Sequence, residues 1–189
     1  MFTFTNFTKE FEKELEKLKD RVEGKIKIYE PKYEDSRMLY YPGMVYPSFT
    51  GTYKEKKVHI DMHLEVGAVF LEIYLWSDFA FKLTLTKETL GSHISKKLGM
   101  DSETELGRSI ATKGFDEKFI IKGKPEGRIK DFLSLSHVIH SIEALGDFVK
   151  LTIKNNYIST KYFVDSNEDF KAERMLEIIK LLITLASAP

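Results

Sequence analysis

The sequence predicts an α+β protein: a largely antiparallel β-sheet with one face covered by an N-terminal helix, a broken middle helix and a long C-terminal helix. Three observations carry this prediction. Both ends of the chain hold one-sided apolar stripes at helical spacing. Segments in the first half alternate apolar and polar residues, as antiparallel strands with one solvated face do. From Phe115 to Pro189, strand and helix periods follow one another with a stop or turn signal at nearly every joint.

The first stripe is Phe7, Phe11, Leu15, Leu18 and Val22, stepping by four, four, three and four. Thr5 or Asn6 caps its start, Gly24 suits a left-handed stop, and the intervening lysines and glutamates form a solvated face. A short strand follows over Lys25–Glu30, ended by Pro31. Residues 33–46 are irregular, punctuated by Pro42 and Gly43. A hairpin then reads in register around Glu55-Lys56, with Tyr53 opposite Val58, Gly51 opposite Ile60 and Phe49 opposite Met62. Its other face carries Ser48, Thr50, Thr52, Lys57, His59, Asp61 and His63. A one-residue slip would bury those polar groups, so the alternation fixes the faces. Val69–Trp76 and Phe79–Lys87 continue as a meander joined around Ser77-Asp78, and one helical turn is expected near Ile94–Leu98.

Phe119–Lys122 is the next strand, and Pro125 belongs in the first turn of a helix that Ser134 and Ser136 break and recap. Leu135, Val138, Ile139, Ile142 and Leu145 share a face of the second segment, which Gly146 stops. Asn155-Asn156 joins Phe148–Lys154 to Tyr157–Val164 in a hairpin, placing Val149, Leu151 and Ile153 beside Ile158, Thr160 and Tyr162 on the core face. Ser166 and Asp169 have capping-box spacing. The last helix packs Ala172, Met175, Leu176, Ile179, Leu182, Ile183 and Ala186.

Phe115-Asp116-x-x-Phe119-Ile120-Ile121-Lys122-Gly123, followed by helix, hairpin and terminal helix, resembles the C-terminal part of a family of uncharacterised prokaryotic proteins. Those proteins carry a Gly-Asp ahead of the Phe-Asp motif, where this chain has Lys113-Gly114. The resemblance implies no activity. Read from the residues alone, Phe115 and Phe119 are core anchors and Asp116 a turn or cap residue.

Composition excludes several functions. The 189 residues suit a single domain over 1–189, with a possible seam between two halves at about 91–114. Folding a chain of this length buries roughly 70% of its unfolded surface, enough for a core without staples. Lys plus Arg equals Asp plus Glu at 29 each, so no global field recruits nucleic acid or anionic lipid. Cysteine is absent, which removes disulfides, thiolate metal sites and cysteine nucleophiles. Glutamine is absent too, beside abundant lysine and glutamate, a composition that points to a thermophilic, archaeal source. The N-terminus lacks secretory character, and the apolar run near Ile178–Ala188 is broken by Lys180 and too short to span a bilayer. A soluble, cytoplasmic protein is expected.

Few residues are left for chemistry. His59, Asp61 and His63 lie together on the hairpin's polar face, but in a strand the two histidines stand roughly 13 Å apart. A zinc ion holds its nitrogen ligands at about 2.0–2.1 Å, so one ion cannot take both. A metal site here would need one histidine, Asp61 and ligands from elsewhere in the chain. His137 and His140 read as surface residues, and His93 stands alone. The basic turn Lys122–Arg128 could meet an anion at a helix start, opposed by Glu126. No nucleophile elbow or phosphate loop occurs. The tyrosines Tyr40, Tyr41, Tyr46 and Tyr53, set among prolines, suit a binding surface because each pairs an apolar body with a polar tip. The sequence thus predicts a non-enzymatic interaction or binding module without metal or cofactor, forming a homodimer through the Tyr40–Tyr53 region. Two alternatives stay open: a hydrophobic-ligand binder with a cavity between sheet and C-terminal helix, and a metal-assisted hydrolase using His59 or His63 with Asp61.

Overall fold

The computed structural model describes residues 4–29, 46–65, 68–87, 115 and 118–189. Among these are eight strands, all in antiparallel ladders where their pairing is given, and four α-helices, so the α+β class and the antiparallel sheet stand. Contacts gather into two units, Met1–Trp76 with Lys161–Lys180, and Ser77–Thr160 with Leu181–Pro189. The expected seam at about 91–114, the helical turn near Ile94–Leu98, His93 and Asp116 lie outside the described residues.

In the first unit, helix α1 (Phe4–Lys19) leads into β1 (Glu23–Tyr29), β2 (Tyr46–Tyr53), β3 (Lys56–Glu65) and β4 (Ala68–Trp76), neighbours in that order. Phe11, Leu15, Leu18 and Val22 are buried as their spacing predicts, and α1 contacts β1 and β2. Gly24 does not stop the helix. It lies within β1 opposite Gly51, and the Phe49 ring covers both: a Cβ on Gly24 would stand 2.3 Å from Phe49 Cζ. The β2–β3 turn is Lys54-Glu55 rather than Glu55-Lys56, with positive φ of 47° and 65° at the two residues. Phe49 accordingly pairs with Ile60, Gly51 with Val58 and Tyr53 with Lys56. The shift is by two residues in the pairing, which leaves every side chain on its expected face. Turn chemistry hid the true position, because neither Lys nor Glu advertises the left-handed conformation.

Also in this unit, Ser166 and Asp169 form the expected capping box, but it opens a 3-10 turn, Asn167–Phe170, and not the last helix. Phe170 is fully buried, edge-on to Phe7 and Phe11 at centroid distances of 6.1 and 5.7 Å. Helix α4 (Ala172–Ala186) begins after it, with a cap drawn from far away in sequence. The Ala172 N–H donates to Glu14 Oε2 of α1 at 3.0 Å. Glu14 is thus an exception to the solvated face expected of α1. In α4, Ile178 and Leu185 are buried while Leu176, Ile183 and Ala186 are half-exposed. The helix is apolar around most of its circumference, so spacing alone could not choose its inner stripe.

In the second unit, β5 (Lys82–Lys87) pairs with both β6 (Phe119–Lys124) and β7 (Phe148–Lys154). The expected meander through Ser77-Asp78 does not form, because the chain crosses a hairpin tip first. Ser77 and Phe79 donate their N–H groups to the carbonyls of Asn156 and Asn155, and β5 then enters on the far side of β7. Asn155-Asn156 turns β7 into β8 (Tyr157–Val164) as predicted. Val149, expected on the core face, is 37% exposed, and Phe148 is buried instead. The ladder with β5 begins at Lys150, one residue after Val149. Helices α2 (Glu126–Ser134) and α3 (Ser136–Ala144) are separated by Leu135. Pro125 is the residue preceding α2, and the serines break the helix without capping α3, since Ser134 Oγ donates to the Asp131 carbonyl at 2.7 Å. Gly146, at φ +76°, ends the segment. Phe115 and Phe119 are buried anchors, their rings 4.8 Å apart.

Candidate functional site

Strict alternation in β3 sends Val58, Ile60, Met62 and Leu64 into the core and His59, Asp61 and His63 to the other face. The β3–β4 register sets His59 opposite Tyr74, Asp61 opposite Glu72 and His63 opposite Phe70. On β2, Thr50 faces His59 and Ser48 faces Asp61. The polar surface of this one unit thus carries two histidines, two carboxylates and two hydroxyls at adjacent positions.

Asp61 is the hub. Thr50 Oγ1 lies 3.0 Å from His59 Nδ1, His59 Nε2 lies 3.3 Å from Asp61 Oδ2, and His63 Nδ1 lies 3.4 Å from Asp61 Oδ1. The histidines are too far apart along the strand to meet, and instead take one carboxylate oxygen each. Side-chain exposures of 28%, 32% and 16% for His59, Asp61 and His63 leave the group reachable from solvent yet partly desolvated. Burial pushes the Asp61 carboxyl up, but the two imidazoles outweigh it and hold the group below the usual carboxylate range.

Aromatic rings frame the hub on both sides. His59, Tyr74 and Trp76 form one group, with centroids 6.0 to 6.5 Å apart. His63, Phe70 and Phe163 form the other, at 6.0 and 5.9 Å, with the Lys161 ammonium 4.2 Å above the Phe70 ring. Trp76 is 37% exposed and Phe163 48%. Glu72 and these rings were missed in the sequence because their face becomes visible only once β4 is paired with β3. The signal existed in the alternation of Leu71, Ile73 and Leu75 with Glu72, Tyr74 and Trp76.

Tyr40 and Tyr41 lie outside the described residues, as does the side chain of Tyr46, whose backbone pairs with Tyr29. Tyr53 ends β2 at the turn, its ring 5.9 Å from the Lys54 ammonium. His137 and His140 are exposed on α3. At the start of α2, Glu126 pairs with Lys130 at 2.8 Å. A cleft of about 210 Å³ between α1 and α4 is lined by Lys17, Asp20, Arg21, Ala172, Glu173 and Leu176, a charged lining unlike that of a hydrophobic-ligand site. No helix among the described residues is long and apolar enough to cross a membrane. Comparison with protein-family models, curated proteins and solved structures gave no match to this chain.

Proposed function

We propose that the protein is a non-enzymatic binding module whose recognition surface is the polar, ring-lined face of β2, β3 and β4; the tyrosine-rich segment Tyr40–Tyr53 is a further proposed binding element. One observation carries this reading. Trp76 and Phe163 expose large apolar rings beside half-buried hydrogen-bonding groups, while the opposite side of the same strands is filled with buried aliphatics. Exposed aromatic rings interspersed with polar groups are the composition of protein-binding surfaces. The partner proposed first is a second copy of the chain. The helices are proposed to cover the apolar face of the strands, and the composition supports a cytoplasmic, thermophilic setting.

Trp76 is the only tryptophan, so its emission reports on this face alone. Light scattering across a concentration series should show a mass approaching two chains, with a blue shift of Trp76 emission over the same range. Phe163→Ser together with Tyr74→Ser should return the protein to one chain without loss of helical circular dichroism. A wild-type mass of one chain at every concentration would exclude the homodimer. A double variant that stays dimeric would remove the face from the interface.

A further inference from the structure

The geometry points to a divalent transition-metal site of the zinc type, formed by Asp61, His63 and Glu72 across the β3–β4 pair. One ligand atom from each of the three residues lies within 4.8 Å of the others. The set combines an imidazole with two carboxylates, a nitrogen–oxygen donor mixture that suits zinc and its first-row neighbours better than calcium or magnesium, which favour all-oxygen shells.

The distances fit. Two ligands at about 2.0–2.1 Å on a tetrahedral ion stand about 3.3–3.4 Å apart. His63 Nδ1 and Asp61 Oδ1 are 3.4 Å apart, long for a hydrogen bond but matched to that edge. Glu72, half-buried on the neighbouring strand, brings a carboxylate oxygen within 4.8 Å of both, from where it must draw in to reach bonding distance. Three protein ligands leave a fourth position open to solvent, which the partial exposure of the group allows.

Two further features belong to the same arrangement. The register sets Asp61 directly opposite Glu72, and like charges in that position repel. A bound cation between them reverses the sign of that interaction. The second carboxylate oxygen of Asp61 is held by His59, and His59 in turn by Thr50. Ligating carboxylates are commonly held in this way, and the chain Thr50–His59–Asp61 makes His59 and Thr50 positioning residues. The Phe70 and Phe163 rings beside His63 supply the apolar shell that limits solvent access. His59 itself does not ligate, which resolves the objection that two histidines at this strand spacing cannot share an ion.

The site does not rest on the binding-module reading, and the measurement that tests it does not involve a partner. The full chain, stripped with chelator, is titrated with Zn²⁺ by calorimetry and with Co²⁺ by visible absorption. The expected result is one ion per chain, a Co²⁺ spectrum more intense than that of the hexaaqua ion, and Co²⁺ quenching of Trp76. Glu72→Gln and His63→Ala should each weaken binding at least tenfold. Thr50→Val should weaken it by about 10-fold, within the range seen for supporting residues, and Thr50→Ser should restore it. A His137→Ala, His140→Ala variant serves as control and should bind as wild type. Absence of saturable binding, binding unchanged in Glu72→Gln and His63→Ala, or loss confined to the control variant would each overturn the assignment.

Discussion

Glu14 is expected to hold the start of α4 in place, and removing it tests whether a cap can act across 158 positions of sequence. Glu14→Ala deletes the acceptor of the Ala172 N–H and the partner of Lys17, which lies 2.5 Å from Glu14. A buried donor left unsatisfied costs about 1–3 kcal/mol, and loss of a helix cap about 0.5–2 kcal/mol, two views of one interaction that should not be added. Ala172 itself is only 6% exposed. The Lys17 pair adds little, because the lysine is exposed and its charge screened by solvent. Urea denaturation at pH 7 should therefore show a loss of about 2 kcal/mol, and Glu14→Gln, which keeps an oxygen but not the charge, about half of that.

A double-mutant cycle isolates the bond. Ala172→Pro removes the donor at the first helical position, where proline is tolerated, and Lys171 at φ −59° and ψ 144° already has the backbone that precedes a proline. In that background Glu14→Ala should cost far less than in wild type. The pH dependence has a fixed sign. Burial pushes the Glu14 carboxyl up, but Lys17 and the Ala172 N–H together hold it below its ordinary value. A lowered folded-state pKa adds stability above the unfolded value of about 4.3 and loses it as pH falls through the folded value. The gap between wild type and Glu14→Ala should be full at pH 7 and shrink below about pH 4. A loss under about 0.3 kcal/mol, or the same loss in the proline background, would refute the reasoning, since a typical cap is worth about 1 kcal/mol.

Two other substitutions should stabilise the protein. Lys54 and Glu55 both adopt positive φ, which costs roughly 1–2 kcal/mol per non-glycine residue, so Lys54→Asn with Glu55→Gly should raise stability by about 1 kcal/mol in the same urea assay. An unchanged or lower midpoint would show that the turn is not strained. Thr160 is fully buried and its Oγ1 has no hydrogen-bond partner among the described residues, so Thr160→Val, of the same shape, should gain about 1 kcal/mol, read as a rise in Tm. A fall in Tm would show the hydroxyl to be satisfied.

Faces were legible in the sequence wherever period and burial coincide. Val58, Ile60 and Met62 declare the inward side of β3 by alternation alone, and that held even though the pairing differed by two residues. Neighbours were legible only where the connection is a recognisable turn. Asn155-Asn156 gave its hairpin correctly, whereas β5 was assigned to β4 because the sequence shows adjacency in the chain and not the crossing at Ser77–Phe79. Gly24 shows a third limit: the same residue can stop a helix or sit beneath an aromatic ring, and only the position of Phe49 decides between them.

The candidate site follows the same division. His59, Asp61 and His63 could be found from one strand's alternation, and their spacing argued against one ion shared by both histidines. What the strand could not supply was its third dimension, the residue one ladder step away. The connection after Glu65 spans only residues 66 and 67, so β4 must return alongside β3 and Glu72 must arrive opposite Asp61. Two carboxylates brought face to face by so short a connection would repel, and the fold retains them with an imidazole on either side of Asp61. A cation bound at the proposed site would lie between the two carboxylates and offset that repulsion. The proposed metal site therefore belongs to the pairing of two strands, a property that no single segment of the sequence contains.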